Sequence, residues 1–557
     1  MNGRSGMTVM TGAQALVQAL KHNAINTVFG LPGVQLDHVF DALYQERSAM
    51  RVLHTRHEQG AAYMAYGYAQ STGRPGAYLV VPGPGVLNTA TALCTAHAAN
   101  APVLALTGEI STRYIGRGFG ILHELSDTAA MLAPITKCQV FADSPARVPL
   151  AINDAVRQAI SGRCGPVLVQ VPDDVTAQRG EVSLGTPAVR DPDPAPDPDL
   201  IEKAATLLGR AQRPALFVGG GVLGAEEAVL ALATMLEAPV IMTRHGRGAL
   251  SDRHYLAQTL MGGHRLWPEI DVVLAVGTRF LEGGEAWGLD GRIKTIRVDI
   301  DAIQAERPCS PDIKIVSSAK LALAALADAL GRHNRKRASR EAELDGVKQA
   351  ALKKLSLLEP QKSYSDAIRE NIPEDTLVVT EMTQVGFYTW MGFPVYAPRT
   401  LIFPGYQDSL GFGFATALGV KVAHPDRAVV SICGDGGFMF TMPELATAVQ
   451  HGINLVTIVF NDGAYGNVRR TQKLQFQEHF IGSDLKNPDF MTLAKAFGAV
   501  GMRANSPAEL GSLLPQALKA GAPVLIEVPV GPMPGWQALM PRAAVRGPGR
   551  EEKAGVI

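Results

Sequence analysis

Residues 428–440 read AVVSICGDGGFMF. The apolar run Ala428 to Cys433 has the length and β-branched content of a buried strand, yet it ends on Asp435, set among Gly434, Gly436 and Gly437. A carboxylate there needs a partner or a ligand. Downstream, the helical pattern MPELATAVQHG leads into a second apolar run, NLVTIVF, and then NDGAYGN, so 27 residues separate Asp435 from Asp462. Both acids fall at the carboxyl ends of parallel strands joined by one crossover, through a glycine loop and a helix. Open α/β sheets bind ligands at that edge. Two acidic oxygens beside glycines whose amides can approach phosphate suit a hard divalent cation that also grips a phosphorylated ligand, magnesium with a diphosphate being the natural pair. Taken alone, a strand-end Asp-Gly reads as a turn.

The same alternation of short β-type runs and helical patterns fills the rest of the chain. NTVFG, RVLHTR, GAYLVV, PVLALTG and GPVLVQVP lie in the first third; PALFVGG, APVIMT, VVLAVG and TIRVDID in the second; DTLVVTEM, RTLIF, AVVSIC, NLVTIVF and PVLIEVPV in the last. This order predicts an α/β protein of three domains, each a mainly parallel sheet flanked by helices, over residues 1–178, 196–332 and 360–535. The Pro- and Asp-dense stretch 185–199 reads as an extended linker, and the mixed-charge stretch 331–355 as a solvated helical connector. After Gly531 the sequence supports no more than a loose cap or disorder.

Lys plus Arg and Asp plus Glu both number 52, so charge gives no reason to expect nucleic acid or an acidic membrane, and the expected ligands are small molecules. Five scattered cysteines without a CxxC pair argue against a disulfide framework or zinc site and fit a reducing cytoplasm. No apolar run approaches a membrane span, and the N-terminus lacks a signal core.

The GDG and ND pair at this spacing resembles the thiamine diphosphate motif. Three N-terminal segments support that likeness in the right order: FGLPGVQLDHVFDAL (29–43), HTRHEQGAAYMAYGYA (54–69) and VPGPGVLN (81–88). Over nearly its whole length the chain resembles the acetolactate synthase-like family, whose subunits carry a pyrimidine-binding, a central and a diphosphate-binding domain. The resemblance implies that Glu58 is the catalytic acid that exchanges a proton with the aminopyrimidine ring. It places Pro32, Gly33, Gly83, Pro84 and Asn88 around the cofactor's pyrimidine side. By the same likeness Met382, Gln384 and Val385 are expected to contact pyrimidine and diphosphate, and Leu410, near Asp408, to be the apolar prop that folds the cofactor into a V. Gly434, Asp435, Gly436, Gly437, Asp462, Ala464, Tyr465 and Gly466 surround the diphosphate. The same resemblance implies that Mg²⁺ is held by Asp435, Asp462 and the Ala464 carbonyl.

Departures from the family pattern carry their own expectations. Many relatives have asparagine where this chain has Asp462, so positive groups or amides must offset a second carboxylate. His123 stands where acetolactate synthases place a glutamine, and an imidazole there could move protons to and from substrate, or merely pack at the cleft rim. VGGGVL and VDIDAIQAER could meet an adenine nucleotide, whereas the shortened stretch TLMGGHRLWPEIDVVLAVGTRF argues against FAD. The implied reaction is decarboxylation of a 2-oxo acid, followed by ligation to a carbonyl acceptor or protonation to an aldehyde. The alternatives are a 2-hydroxy ketone lyase or carboligase without obligatory decarboxylation, and a cofactor-binding scaffold subunit. Glu58 speaks against glyoxylate carboligase, whose relatives lack that acid. The family's arrangement implies a homodimer at minimum and a homotetramer as the usual assembly.

Overall fold

The computed structural model describes residues 6–540 and 543–547. Each cluster of apolar runs forms its own six-stranded parallel sheet. In the first, the spatial order is Arg51–His54, Thr27–Gly30, Gly76–Val80, Val103–Glu109, Val167–Pro172 and Cys138–Phe141. The second runs Ala257–Thr259, Val240–Met242, Pro214–Val218, Val272–Val276, Lys294–Asp299 and Ile313–Val316. The third runs Leu401–Ile402, Leu377–Thr380, Val429–Gly434, Val456–Asn461, Val524–Pro529 and Val500–Arg503. Central strands such as Val272–Val276 are buried along their whole length, as parallel sheets covered on both faces require.

Four strands have no counterpart among the apolar runs: Cys138–Phe141, Ala257–Thr259, Ile313–Val316 and Val500–Arg503. Each is a sheet edge. An edge strand is covered on fewer sides, tolerates polar residues such as Gln139, Lys314 and Arg503, and so loses the continuous apolar signal. A small antiparallel pair, Thr8–Thr11 with Arg179–Val182, also went unsignalled.

Two expectations need correction. The glycine loop after Cys433 is helical: the strand ends at Gly434 and a helix runs Asp435–Thr441 directly, followed by Glu444–Gln450. The tail is neither loose nor disordered where described. Trp536 stacks on Phe387 at 4.9 Å, and the Arg546 guanidinium donates to the carbonyls of Trp267, Pro268 and Ile270 and pairs with Asp290. Burying a planar cation against carbonyls fixes that segment on the second sheet's domain.

The first and third domains share one apolar core. Helix Glu58–Thr72 packs on helix Phe412–Ala423, with Tyr63 and Tyr66 edge-on to Phe412. The approach is backbone to backbone: a Cβ on Gly67 would stand 2.1 Å from Thr416 O, and one on Gly419 would stand 1.9 Å from Met64 O. Among the described residues, no helix is long and apolar enough to cross a membrane.

Candidate functional site

The strands ending in Gly434 and Asn461 are neighbours, which brings Asp435 and Asp462 to one sheet edge. Asp435 is 2% exposed and its Oδ2 accepts from Gly463 N (3.1 Å) and Asn487 Nδ2 (2.6 Å). Burial pushes its pKa up, while those donors pull it down. Asp462 is pushed up to about 6, first by burial and then by repulsion from Asp435. A carboxylate raised by a buried neighbour suits a divalent cation between the two. No cluster of three or more His, Cys, Asp or Glu side chains able to hold a metal occurs among the described residues, so the rest of a coordination shell must come from carbonyl, phosphate or water oxygens.

Amide and cation compensation for Asp462 are both present. Ala464 N donates to Oδ1 at 3.3 Å, and the Arg470 guanidinium faces it while donating to Asn467 Oδ1 (2.8 Å). Gln384 joins the same network, its Nε2 donating to Asn467 Oδ1 at 2.8 Å. The glycines leave room where side chains would not fit: a Cβ on Gly436 would meet the Tyr465 ring at 2.7 Å, and one on Gly437 would meet the Glu381 carboxyl at 2.5 Å. Gly466 lies equally close to Asp462. Met382 is half-buried and Val385 fully buried beside them. Hard oxygens at two neighbouring strand ends, the backbone amides that open helix Asp435–Thr441 and the Arg470 guanidinium fit a metal-bound diphosphate.

Leu410 is half-buried, directly before the turn into helix Phe412–Ala423. Asp408 has a left-handed backbone (φ 44°) and turns toward the second domain, where Arg244 Nη1 lies 3.9 Å away.

A separate half-site forms on the first sheet. Glu58 opens helix Glu58–Thr72, capped by His57, and its Oε2 accepts from Asn88 Nδ2 at 3.0 Å. Gly83, Pro84 and Gly85 wrap beside it; a Cβ on Gly85 would stand 3.7 Å from Oε1. His123 closes this half, its backbone against Gly83 and its Nδ1 2.7 Å from Gln35 Oε1. Gln35 spends its Nε2 on Leu122 O, so Oε1 accepts and His123 Nδ1 donates, which leaves Nε2 directed away from Gln35. Gly33 packs on Val81, while Pro32, Pro84 and Asn88 are exposed and Glu58 is half-buried. None of the hydrogen bonds of Glu58, among the described residues, reaches the Asp435 half.

Three residues escaped the sequence reading. Glu381 ends the strand run LVVT just as Asp435 ends its own, a parallel that would have found it. It is wholly buried, its carboxyl faces the amides of Gly413, Gly411 and Phe412 and the Cys433 thiol, and among the described residues that carboxyl completes no hydrogen bond of good geometry; burial pushes it up to about 7. Gln35 was signalled only by a polar residue in an apolar register. Asn487 lies in an irregular stretch without any pattern.

A cavity of about 330 Å³ separates the first and second domains. Gly219, Gly220 and Gly221, strand-end Asp299 and the guanidinium groups of Arg163, Arg279 and Arg399 line it.

The chain matches three family descriptions in sequence: "Thiamine pyrophosphate enzyme, N-terminal TPP binding domain" over residues 10–131, "Thiamine pyrophosphate enzyme, central domain" over 201–326, and "Thiamine pyrophosphate enzyme, C-terminal TPP binding domain" over 381–528. It is 32% identical to a probable acetolactate synthase large subunit of Methanococcus aeolicus, covering 96% of this chain and 94% of that one. It is 35% identical to a probable 2-ketoarginine decarboxylase of Pseudomonas aeruginosa, covering 88% of each. Identity to an acetolactate synthase of Arthrospira platensis is 32%, over 94% of each chain. Three matched domains in order, on three parallel sheets with a carboxylate pair at the last sheet's edge, place this chain in the thiamine pyrophosphate enzyme family, as an acetolactate synthase-like decarboxylase or carboligase.

Proposed function

We propose that the chain releases CO2 from a 2-oxo acid at a composite site, made of the Glu58 half of one copy and the Asp435 half of another. The observation that carries this reading is the separation of the halves: the acid side with Asn88 and Pro84 stays open in a single chain, and apolar side chains flank both halves. Phe119 and Leu122 are 62% and 58% exposed on one, Phe440 and Val468 51% each on the other. Apolar rims of this kind favour burial against a second copy. A homodimer is then the minimal active unit, and a homotetramer the fuller assembly.

In that site Asp435, Asp462 and the Ala464 carbonyl hold Mg²⁺, and the Gly434 to Gly437 backbone with Gln384 receives the diphosphate. Leu410 would serve as the apolar support for the cofactor, Met382 and Val385 would contact it, and Pro32, Gly33 and Gly83 would line its pyrimidine side. Bound thiamine diphosphate supplies the carbon nucleophile and electron sink for decarboxylation. Glu58 holds and returns a proton at the pyrimidine ring, and Asn88 orients its carboxylate. His123, with Nε2 directed away from Gln35, delivers or accepts the substrate proton. Protonation gives an aldehyde plus CO2; a carbonyl acceptor in place of that proton gives a hydroxy ketone plus CO2.

The arginine-lined cavity takes an adenine nucleotide rather than FAD in this reading, supported by Asp299 at a strand end for a ribose and by guanidinium groups for phosphates. Unpaired cysteines at all five positions accord with a cytoplasmic enzyme. The test is CO2 release and product identity with thiamine diphosphate, Mg²⁺ and a panel running from pyruvate to 2-ketoarginine, with and without aldehyde acceptors. Saturable cofactor binding without CO2 from any donor would sink the decarboxylation reading; release of flavin on heating would sink the nucleotide assignment.

A further inference from the structure

Glu444 is a buried carboxylate that the reading above leaves without a task. It has no solvent exposure and opens the second of the two short helices that begin at Asp435. Its oxygens do not turn to the diphosphate half. They cross to the first domain, where both accept the Arg56 amide at 3.1 Å and Oε1 accepts the His57 amide at 3.0 Å. Thr447 Oγ1 donates to Oε2 from the same helix. Flanking contacts repeat the link: Arg56 Nη2 donates to Gln450 Oε1 at 3.0 Å, and the His54 and His451 rings meet edge to face at 4.9 Å. Gly60 is shaped by the same contact, since a Cβ there would stand 2.4 Å from Glu444 Oε1.

Arg56 and His57 form the turn immediately before Glu58. A charged acceptor on backbone amides makes a short, strong and directional bond, and a buried amide left without an acceptor is costly. We propose that Glu444 is a positioning residue: by holding the Arg56 and His57 amides it sets the direction in which Glu58 leaves its helix, and so the geometry of proton exchange with the cofactor. The inference rests on the role of Glu58 proposed above. Because Asp435 and Glu444 sit on consecutive helices, each chain fastens its own metal-side half to the acid it lends to the partner site.

The test uses full-length Glu444→Ala and Glu444→Gln beside Glu58→Gln. Three quantities are read: thiamine diphosphate affinity by tryptophan fluorescence, amide hydrogen exchange over residues 54–60 of the apoprotein, and the exchange rate of the bound cofactor's C2 proton by acid quench and NMR. The expected result is affinity within about threefold of wild type, faster amide exchange over 54–60 in Glu444→Ala, and C2 exchange slowed about 10- to 100-fold, with Glu444→Gln intermediate. C2 exchange within about twofold of wild type in both variants, or slowing that merely follows lost affinity, overturns the proposal. Should Glu444→Ala fail to fold, Glu444→Gln keeps the volume and one acceptor oxygen, and unchanged exchange there overturns it equally. Slow exchange in Glu58→Gln with normal exchange in the Glu444 variants refutes positioning alone; normal exchange in Glu58→Gln refutes the role of Glu58 and this inference with it.

Discussion

Glu58 and Glu381 are carboxyl groups that the fold treats in opposite ways. Glu58 is left half-open with a single amide beside it, ready for a ring nitrogen from outside the chain. Replacing it with Gln keeps the shape and the Asn88 contact but removes the proton, so kcat should fall about 10²- to 10⁴-fold while cofactor affinity holds, as steady-state kinetics and fluorescence titration would show. Glu381 is sealed inside. Its ordinary value of 4.5 rises to about 7 in the folded chain, so the folded state binds the proton more tightly than the unfolded one. The stability it contributes is full below about 4.5 and is lost as pH rises through about 7. Glu381→Gln removes that dependence, and thermal melts of the apoprotein should show the variant gaining on wild type as pH climbs through this window. A gap that stays constant with pH would contradict the assignment. At this scale Asp435 and Asp462 were legible because a charge ends an apolar strand at a telling interval. Asn487 was not, because its role depends on a loop that returns to the sheet edge without periodicity.

Elements were readable in proportion to how completely they are buried. Val429–Gly434 and Val456–Asn461 announced themselves through unbroken apolar runs, whereas Ile313–Val316 and Val500–Arg503, at sheet edges, carry Lys314 and Arg503 in the register. The crossing of helices Glu58–Thr72 and Phe412–Ala423 was illegible for a different reason: glycine in a helical run signals only weak propensity, and the close approach it permits is a tertiary fact. That approach makes a firm prediction. Gly67→Val or Gly419→Val drives a side chain into a backbone carbonyl that cannot retreat, and should cost about 1–3 kcal/mol or more by denaturant melts, with cofactor affinity falling as the two domains separate. A substitution tolerated without loss of stability would show that the helices are not locked.

For the whole molecule, the three-domain order followed from the alternation of runs, while the proposed division of the site between two copies rests on the family resemblance and on the open side of the Glu58 half, where Pro84 and Asn88 are exposed. A subunit with Glu58→Gln and a subunit with Asp435→Asn are each inactive in this reading. Mixed after gentle dissociation, they should recover about a quarter of wild-type activity, since half of the pairs contain one intact site of two. Absence of recovery, with mixed dimers verified by mass, would place both halves in a single chain. The tail belongs to this scale too, because Trp536 on the third domain and Arg546 on the second tie one C-terminal segment to both domains.

The glycine-on-carbonyl contact between helix Glu58–Thr72 and helix Phe412–Ala423 also limits how such enzymes can exchange parts. A chimera that swaps only the first domain sets a foreign helix against Thr416 O and Gly419, where there is no slack for even one methyl group. Recombinants between relatives should therefore survive when both helices come from one parent and the break falls in the linker and connector around the second domain. The central domain keeps a contact of the same kind, a Cβ on Gly248 standing 2.3 Å from Ala397 O, so an exchange of that domain must carry this segment's fit with it.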